Sequence, residues 1–357
     1  AVLCIALGIA ATSAILTLVT STLLRPLPFP DSERLVRVWS VEESVELAGR
    51  GQLSYLDVGD LNSGLDALDA FVVSGRARVM FLGEGGARRV EGEAIGPGYL
   101  DLLGVSPFLG RPFTAEDHDP ASPQTMLLSF GTWVRDFAGD PSVVGQGLQT
   151  TDGEFTIIGV LPQSFVGTIE ADIPDIEFWI PLEHYADDAV RSRRDIEFIW
   201  SIGRLQHGAS IETVREQAEA LGERLMAAGV LEPPNGYWVE PFGENWRADL
   251  RWRNYLLLAA AGLLLLVAAT NVAGLLVARG LTRRRELALH AAVGASGGRI
   301  VRRTFFETGV ITVVGGASGV LLAPWLLGAF MRLAPTDLPT YVDPTPGLRA
   351  VGLAVAA

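Results

Sequence analysis

A chain of 357 residues with a mean hydropathy of +0.30 is more apolar than an ordinary soluble protein, and it is long enough for one or two globular domains beside membrane spans. All 28 basic residues are arginine, so the absence of lysine excludes a conventional P-loop ATPase and Schiff-base chemistry. The net charge of −13 is uneven: residues 25–254 hold 37 acidic residues against 19 arginines, which argues against nucleic-acid binding, and the single Cys4 permits no disulfide within the chain.

Residues 1–24 carry no charge and end at Arg25-Pro26, where proline cannot continue a helix. They read as a first membrane span and lack the basic start and small-residue cleavage site of a signal peptide. Ser13, Thr17 and Ser21 recur at helical spacing, which fits either ordinary span composition or a helix contact. The chain starts and stops inside apolar runs, at Ala1 and Ala357, and on this reading it is a piece of a longer membrane protein.

Residues 25–254 read as an α+β domain. Leu35 to Ser40 alternates as a half-buried strand, and Ser54 caps a short helix reaching Asn62. Leu68 to Val73 and Arg78 to Leu82 read as two strands, followed by a turn at Gly83 to Gly86 and a strand at Arg88 to Ala94. Residues 91–195 are rich in strands and turns and read as an inserted subdomain. In it, Tyr99 to Leu103 and Gly131 to Phe137 are helical, Phe155 to Val160 is a strand, and proline-limited Phe178 to Leu182 belongs at a sheet edge. Ile199 to Leu205 is a strand. Ser210 caps a helix to Ala228, with Val214, Ala218, Leu221 and Leu225 on one face and Gly229 ending it. Tyr237 to Pro241 is a last strand.

Residues 255–277 form a second span, preceded by Trp246, Trp252 and Tyr255, which suit a membrane interface. Residues 278–304 form a loop carrying Arg279, Arg283, Arg284, Arg285, Arg299, Arg302 and Arg303 against Glu286, with a short helix closed by Gly294. Such a basic loop marks the cytoplasmic side, which places the acidic domain on the opposite face. Residues 305–330 are a third span with Gly315 and Gly319 in a GxxxG pair and Pro324 within it. Residues 331–349 form a short outer loop, and residues 350–357 begin a fourth span. Asn271 is expected to hydrogen-bond between helices, and Glu307 to pair with Arg303. Gly294 to Gly298 fits GxSxG but follows a helix, so the strand-to-helix elbow of a hydrolase is missing. Glu116 to Asp119 has no second histidine at ligand spacing and reads as a solvated loop; no metal site is expected.

Several stretches together resemble a known family. Leu23 to Trp39 (LLRPLPFPDSERLVRVW) is similar to the first-span exit of MacB/FtsX-like ABC transporter permeases with duplicated transmembrane units. VSPFLGRPFTAED from Val105, DPSVVGQG from Asp140 and FTIIGVLP from Phe155 resemble that family's extracytoplasmic core domain, and Ala268 to Ser296 resembles its permease signature. The resemblance implies a non-catalytic permease in the bacterial inner membrane, working with a separate ABC ATPase that binds the ATP, so that this chain needs no cofactor. It implies a docking helix containing Arg283, Arg284, Arg285, Glu286, Leu289, Val293, Gly294 and Ala295, and a porter-like half from residues 25–90 and 196–250. A dimer or duplicated permease halves, the lipid membrane, and periplasmic or outer-membrane partners follow from the same likeness. The competing reading is a membrane-anchored sensor or interaction protein without an ATPase.

Overall fold

The computed structural model describes residues 2–19, 27–41, 50–83, 86–168, 176–232, 234–282 and 297–333. Of these, residues 27–245 form one compact unit, and residues 2–19, 246–282 and 297–333 form another.

The first unit is built on a ten-stranded sheet. Its strands are β1 (Leu35–Val41), β2 (Leu68–Gly83), β3 (Gly86–Ile95), β4 (Leu109–Gly110), β5 (Thr125–Leu128), β6 (Gly147–Thr150), β7 (Gly153–Val160), β8 (Phe178–Pro181), β9 (Ile199–Leu205) and β10 (Gly236–Pro241). They lie in the order β10-β1-β9-β2-β3-β8-β5-β7-β4, with β6 pairing β2 and β7. The β3–β8 and β5–β7 pairs are parallel and the others antiparallel. Strands within residues 91–195 continue this sheet through the β3–β8 and β2–β6 pairs. Both edges are protected. β4 is only two residues long, while β10 ends at Pro241 and its Val239 carbonyl accepts from Arg215 Nε at 2.9 Å.

Three strand expectations are corrected. β2 is one strand of 16 residues, not two. Gly75, which reads as a break, permits a close approach, because a Cβ there would lie 3.1 Å from the Phe198 ring. β8 is central and fully buried, not an edge. Its proline is the last residue and the N-cap of the next helix, where no ladder donor is missed. β1 is buried on both faces, so Arg37 and Trp39 are inside.

The helices of this unit are α2 (Tyr55–Gly64), α3 (Tyr99–Leu102), α4 (Phe130–Phe137), α5 (Leu182–Tyr185), α6 (Asp188–Arg191) and α7 (Ile211–Ala227). The apolar stripe of α7, Val214, Ala218 and Leu221, packs with Leu61 and Leu65 against Val36, Val38, Val73 and Val79. Strand alternation sends Leu35 and Arg37 to the opposite face. The other unit contains α1 (Val2–Val19), α8 (Glu244–Thr282) and α9 (Gly297–Leu333). The stretches Tyr255–Leu275 in α8 and Thr312–Ala329 in α9 are long and apolar enough to cross a membrane; the apolar stretch Ile5–Thr17 of α1 is shorter.

Ser54 starts α2 as expected, and the contacts at that cap make a test. Buried Asp57 accepts from Ser54 N at 2.9 Å, Ser54 Oγ at 2.6 Å, Tyr237 Oη at 2.7 Å and Arg194 Nη1. It therefore ties α2 to β10 and to the segment before β9. Asp57→Ala is expected to destabilise the sheet unit by about 2–3 kcal/mol, the loss of a cap plus buried hydrogen bonds. Denaturant unfolding of the purified chain followed by tryptophan fluorescence checks this, and a loss of under about 0.5 kcal/mol would mean that Asp57 ties nothing together.

Candidate functional site

Two places draw attention: a seam of small residues among the apolar helices and a set of buried polar groups in the sheet unit. At the seam, the GxxxG glycines of α9 face α1. A Cβ on Gly315 would lie 2.9 Å from Ile5 Cβ, and one on Gly319 would lie 2.8 Å from both the Ala6 carbonyl oxygen and Ile9 Cβ. Gly8 of α1 turns to α8, where a Cβ would lie 3.1 Å from Ala268 Cβ. Ala6, Ala10, Ala14, Thr12, Ser13 and Thr17 are buried, and Thr12 Oγ1 donates to the Gly8 carbonyl at 2.8 Å. Small side chains let backbones approach and gain dispersion contacts.

Asn271 lies elsewhere. It is exposed on α8 and makes no side-chain hydrogen bond among the described residues, so the expected interhelical bond finds no partner there. The proposed docking residues Arg283, Arg284, Arg285, Glu286, Leu289, Val293, Gly294 and Ala295 lie outside the described residues, as do the outer loop and the start of a fourth span. The side chains of Arg303 and Glu307 are likewise not described.

In the sheet unit, Glu93 of β3 is completely buried. Its Oε1 accepts from Tyr99 Oη at 2.7 Å and from the Thr168 amide and hydroxyl at 3.3 Å each, and its Oε2 accepts from Trp179 Nε1 at 2.8 Å. Tyr99 Oη also shares a 2.5 Å hydrogen bond with Thr168 Oγ1. Phe165 covers Trp179 with ring centroids 5.4 Å apart, and Gly167, at φ +88°, brings the loop within reach because a Cβ there would meet Oε2 at 2.8 Å. These partners are all uncharged. Burial pushes the Glu93 carboxyl up, against hydrogen bonds from Tyr99, Trp179 and Thr168 that pull it down. Burial, and then the neighbouring Glu93, also raise the Tyr99 phenol.

The acidic run 116–119 is only half solvated. Glu116 and Asp119 are exposed, but Asp117 is buried and takes a bidentate pair from Arg111 at 2.6 and 2.9 Å, plus the Thr114 amide and hydroxyl at 2.7 Å each. Burial opposes ionisation, yet the bonds from Arg111 and Thr114 hold the Asp117 carboxyl well below the usual range. His118 Nδ1 lies 2.8 Å from Glu183 Oε2, and His184 Nε2 lies 3.0 Å from the Asp117 carbonyl oxygen. These contacts fasten the loop to α5. Sequence reasoning missed both polar knots, because their members are as much as 86 residues apart.

Residues 1–221 match the MacB-like periplasmic core domain, and residues 258–357 match the FtsX-like permease C-terminal family. The macrolide export ATP-binding/permease protein MacB of Bdellovibrio bacteriovorus is 24% identical over 262 residues, 70% of this chain and 37% of that protein. The pyoverdine export ATP-binding/permease protein PvdT of Pseudomonas aeruginosa is 25% identical over 228 residues, 62% of this chain and 32% of that protein. The chain thus spans about a third of the length of these relatives. Among solved structures, the periplasmic region of MacB from Actinobacillus actinomycetemcomitans aligns with a TM-score of 0.45 at 12% identity, over 63% of this chain and 95% of that one.

Two outcomes are expected from this geometry. Gly319→Leu overpacks the seam and should lower the stability of the helix unit in detergent by about 1–3 kcal/mol, with Gly319→Ala milder; equal thermal midpoints for all three proteins would mean that α1 and α9 do not touch there. For Glu93, the folded group titrates above its ordinary value of 4.5, so its contribution is fully present below that pH and is lost as pH rises through the folded value. Glu93→Gln cannot ionise. The stability of wild type minus that of Glu93→Gln should therefore fall as pH is raised above 4.5; a difference that is flat with pH would show that the carboxyl is not perturbed.

Proposed function

Because this chain belongs to the MacB/FtsX-like family of ABC transporter permeases, we propose that it is a non-catalytic permease part that couples ATP hydrolysis on a separate ABC ATPase to movement of its sheet unit, for export or mechanotransmission. The observation that carries this reading is α8. It runs as one helix of 39 residues from Glu244, just past β10, through the apolar stretch Tyr255–Leu275 to Thr282. Residues Arg283, Arg284 and Arg285 follow immediately in sequence. An unbroken helix is a stiff rod of about 1.5 Å per residue. It suits the transfer of a displacement from an ATPase docked at its basic end to a domain attached at the other.

In this reading the chain is multi-pass in the bacterial inner membrane, residues 25–254 are extracytoplasmic, and residues 283–303 face the cytoplasm. The arginine forks meet an acidic surface of the ATPase, with Glu286 to Ala295 completing the docking helix. Two permease halves, as a dimer or in one duplicated chain, form the working unit, and periplasmic or outer-membrane partners receive its output. The names of the relatives, ATP-binding/permease proteins for macrolide and pyoverdine export, support an ATPase partner and an export role.

The test replaces Arg283, Arg284, Arg285 and Glu286 together with alanine. The variant should keep the folded sheet unit, judged by its unfolding curve, and lose stimulation and co-purification of the ATPase encoded with it. Unchanged association and stimulation would remove the docking assignment. Impermeant labelling of single cysteines placed at residues 283–303 and in the sheet unit checks sidedness, and labelling of both from the same side would refute the topology.

A further inference from the structure

Arg37 of β1 is 1% exposed, a costly position for a permanent cation. Its guanidinium carbon stands 4.6 Å from the ring centroid of Phe242 and 5.3 Å from that of Trp39, and its Nε donates to the Ser201 carbonyl of β9 at 3.3 Å. Across the ladder it faces Glu240, also buried, which accepts from Trp39 Nε1 at 2.8 Å and from Arg50 Nη2 at 2.7 Å. Phe242 is the residue after β10 and stands two positions before α8 begins. Its amide donates to the Leu35 carbonyl at 2.9 Å, and its ring packs edge-on against Phe29 at 6.1 Å. Between Phe242 and α8 lies only Gly243, at φ +82°.

This arrangement has a mechanical consequence. Gly243 is where the connection between sheet and helix is most easily bent, because glycine adopts that conformation with the least strain and resists rotation least. A pull on α8 would be absorbed in that turn unless Phe242 were held from behind. Among the described residues, Phe242 is held by a hydrogen bond to β1, an aromatic contact to the segment entering the sheet, and the face of a buried cation that is itself tied to β9. The guanidinium adds a directional hold reaching across three strands.

We propose that Arg37 is a positioning residue for force transmission: it locks Phe242 to the sheet so that displacement of α8 reaches β1 and β9 and is not dissipated at Gly243. This rests on the coupling role proposed above, and the experiment separates the two. The full chain is reconstituted in nanodiscs with its ATPase, and amide hydrogen exchange is followed by mass spectrometry in wild type, Arg37→Met, Arg37→Lys and Phe242→Leu. Without ATP, Arg37→Met and Phe242→Leu should exchange about tenfold faster over residues 242–244, with Arg37→Lys intermediate and the β2–β3 hairpin unchanged. If Arg37→Met fails to fold, Phe242→Leu and Arg37→Lys carry the test. Unaltered exchange in the folded variants would overturn the lock.

With ATP, wild type should show an altered exchange rate in β9. Arg37→Met should lose most of that response while hydrolysing ATP at the wild-type rate. Asp57→Ala, which loosens the sheet at α2, is the control for mere destabilisation and should keep the response. A full ATP response in Arg37→Met would overturn the proposal. No response in wild type would refute force transmission itself, and this role for Arg37 with it, while the ATP-free arm still reports whether the lock exists.

Discussion

The antiparallel ladder between β1 and β10 joins the two ends of the sheet unit. Its six pairs run from Val36 opposite Pro241 to Val41 opposite Gly236, so residues about 200 positions apart lie side by side. Closing so long a loop costs conformational entropy, although the cost rises only slowly with length. What holds it closed is burial on both sides: Val36 and Val38 pack under α7, and Leu35, Arg37 and Trp39 are buried on the opposite face. The chain therefore leaves this unit beside the place where it came in. β1 is flanked by β10 and β9, both from the far end of the sequence, and β2 joins the sheet through β9. The strands from β2 to β8 are attached to the crossing strands chiefly by the β9–β2 ladder of seven pairs.

Covering a sheet on both faces forces polar side chains inside, and the unit deals with them in different ways. Asp57 is matched by a cation, Arg194, which also holds Asp60 at 2.6 Å, so its charge is balanced. Among the described residues Glu93 has only neutral donors, from α3, from the loop before β8 and from β8 itself. A carboxylate needs acceptor partners for none of its atoms and donors for all of them, and this site supplies donors without supplying charge. The result is a group whose solvation is replaced bond by bond while the field of the site remains unfavourable to its ionised form. Arg37 is a third kind, a cation that among the described residues lies against two ring faces and a carbonyl oxygen. Each arrangement joins segments that are distant in sequence.

The parts of this fold that were readable from the sequence are those with a local cause. Ser54 caps α2 because its side chain reaches the Asp57 amide three residues on, and that spacing is visible in the sequence. Ser210, Val214, Ala218 and Leu221 define α7 by period alone. β9 and β10 are short apolar alternations between turn residues. The parts that could not be read depend on contacts at long range. Gly75 reads as a break because nothing nearby reveals that Phe198 will press against it. Pro181 suggests an edge because the residue that makes it harmless is the start of α5, a helix of only four residues. The two-residue β4 has no periodicity to detect, and β6 exists because β7 doubles back on it. Glu93 sits in a strand where alternation offers either face, and Tyr99, Thr168 and Trp179 give no sign that they converge on it. The family likeness was legible in full, since its motifs are contiguous in sequence. The placement of Asn271 was not, because a polar residue in an apolar helix announces that it wants a partner without saying where one stands.

The β1–β10 ladder also resists any change of register. α1 precedes β1 and α8 follows β10, and the two helices touch at Gly8 and Ala268. The β1–β10 ladder itself is registered over six pairs. A slip of a single position turns every side chain to the other face. Arg37, Trp39 and Glu240 would trade places with Val36, Val38 and Val239, putting buried charge into the apolar layer under α7. That penalty holds the β1–β10 ladder to a single register.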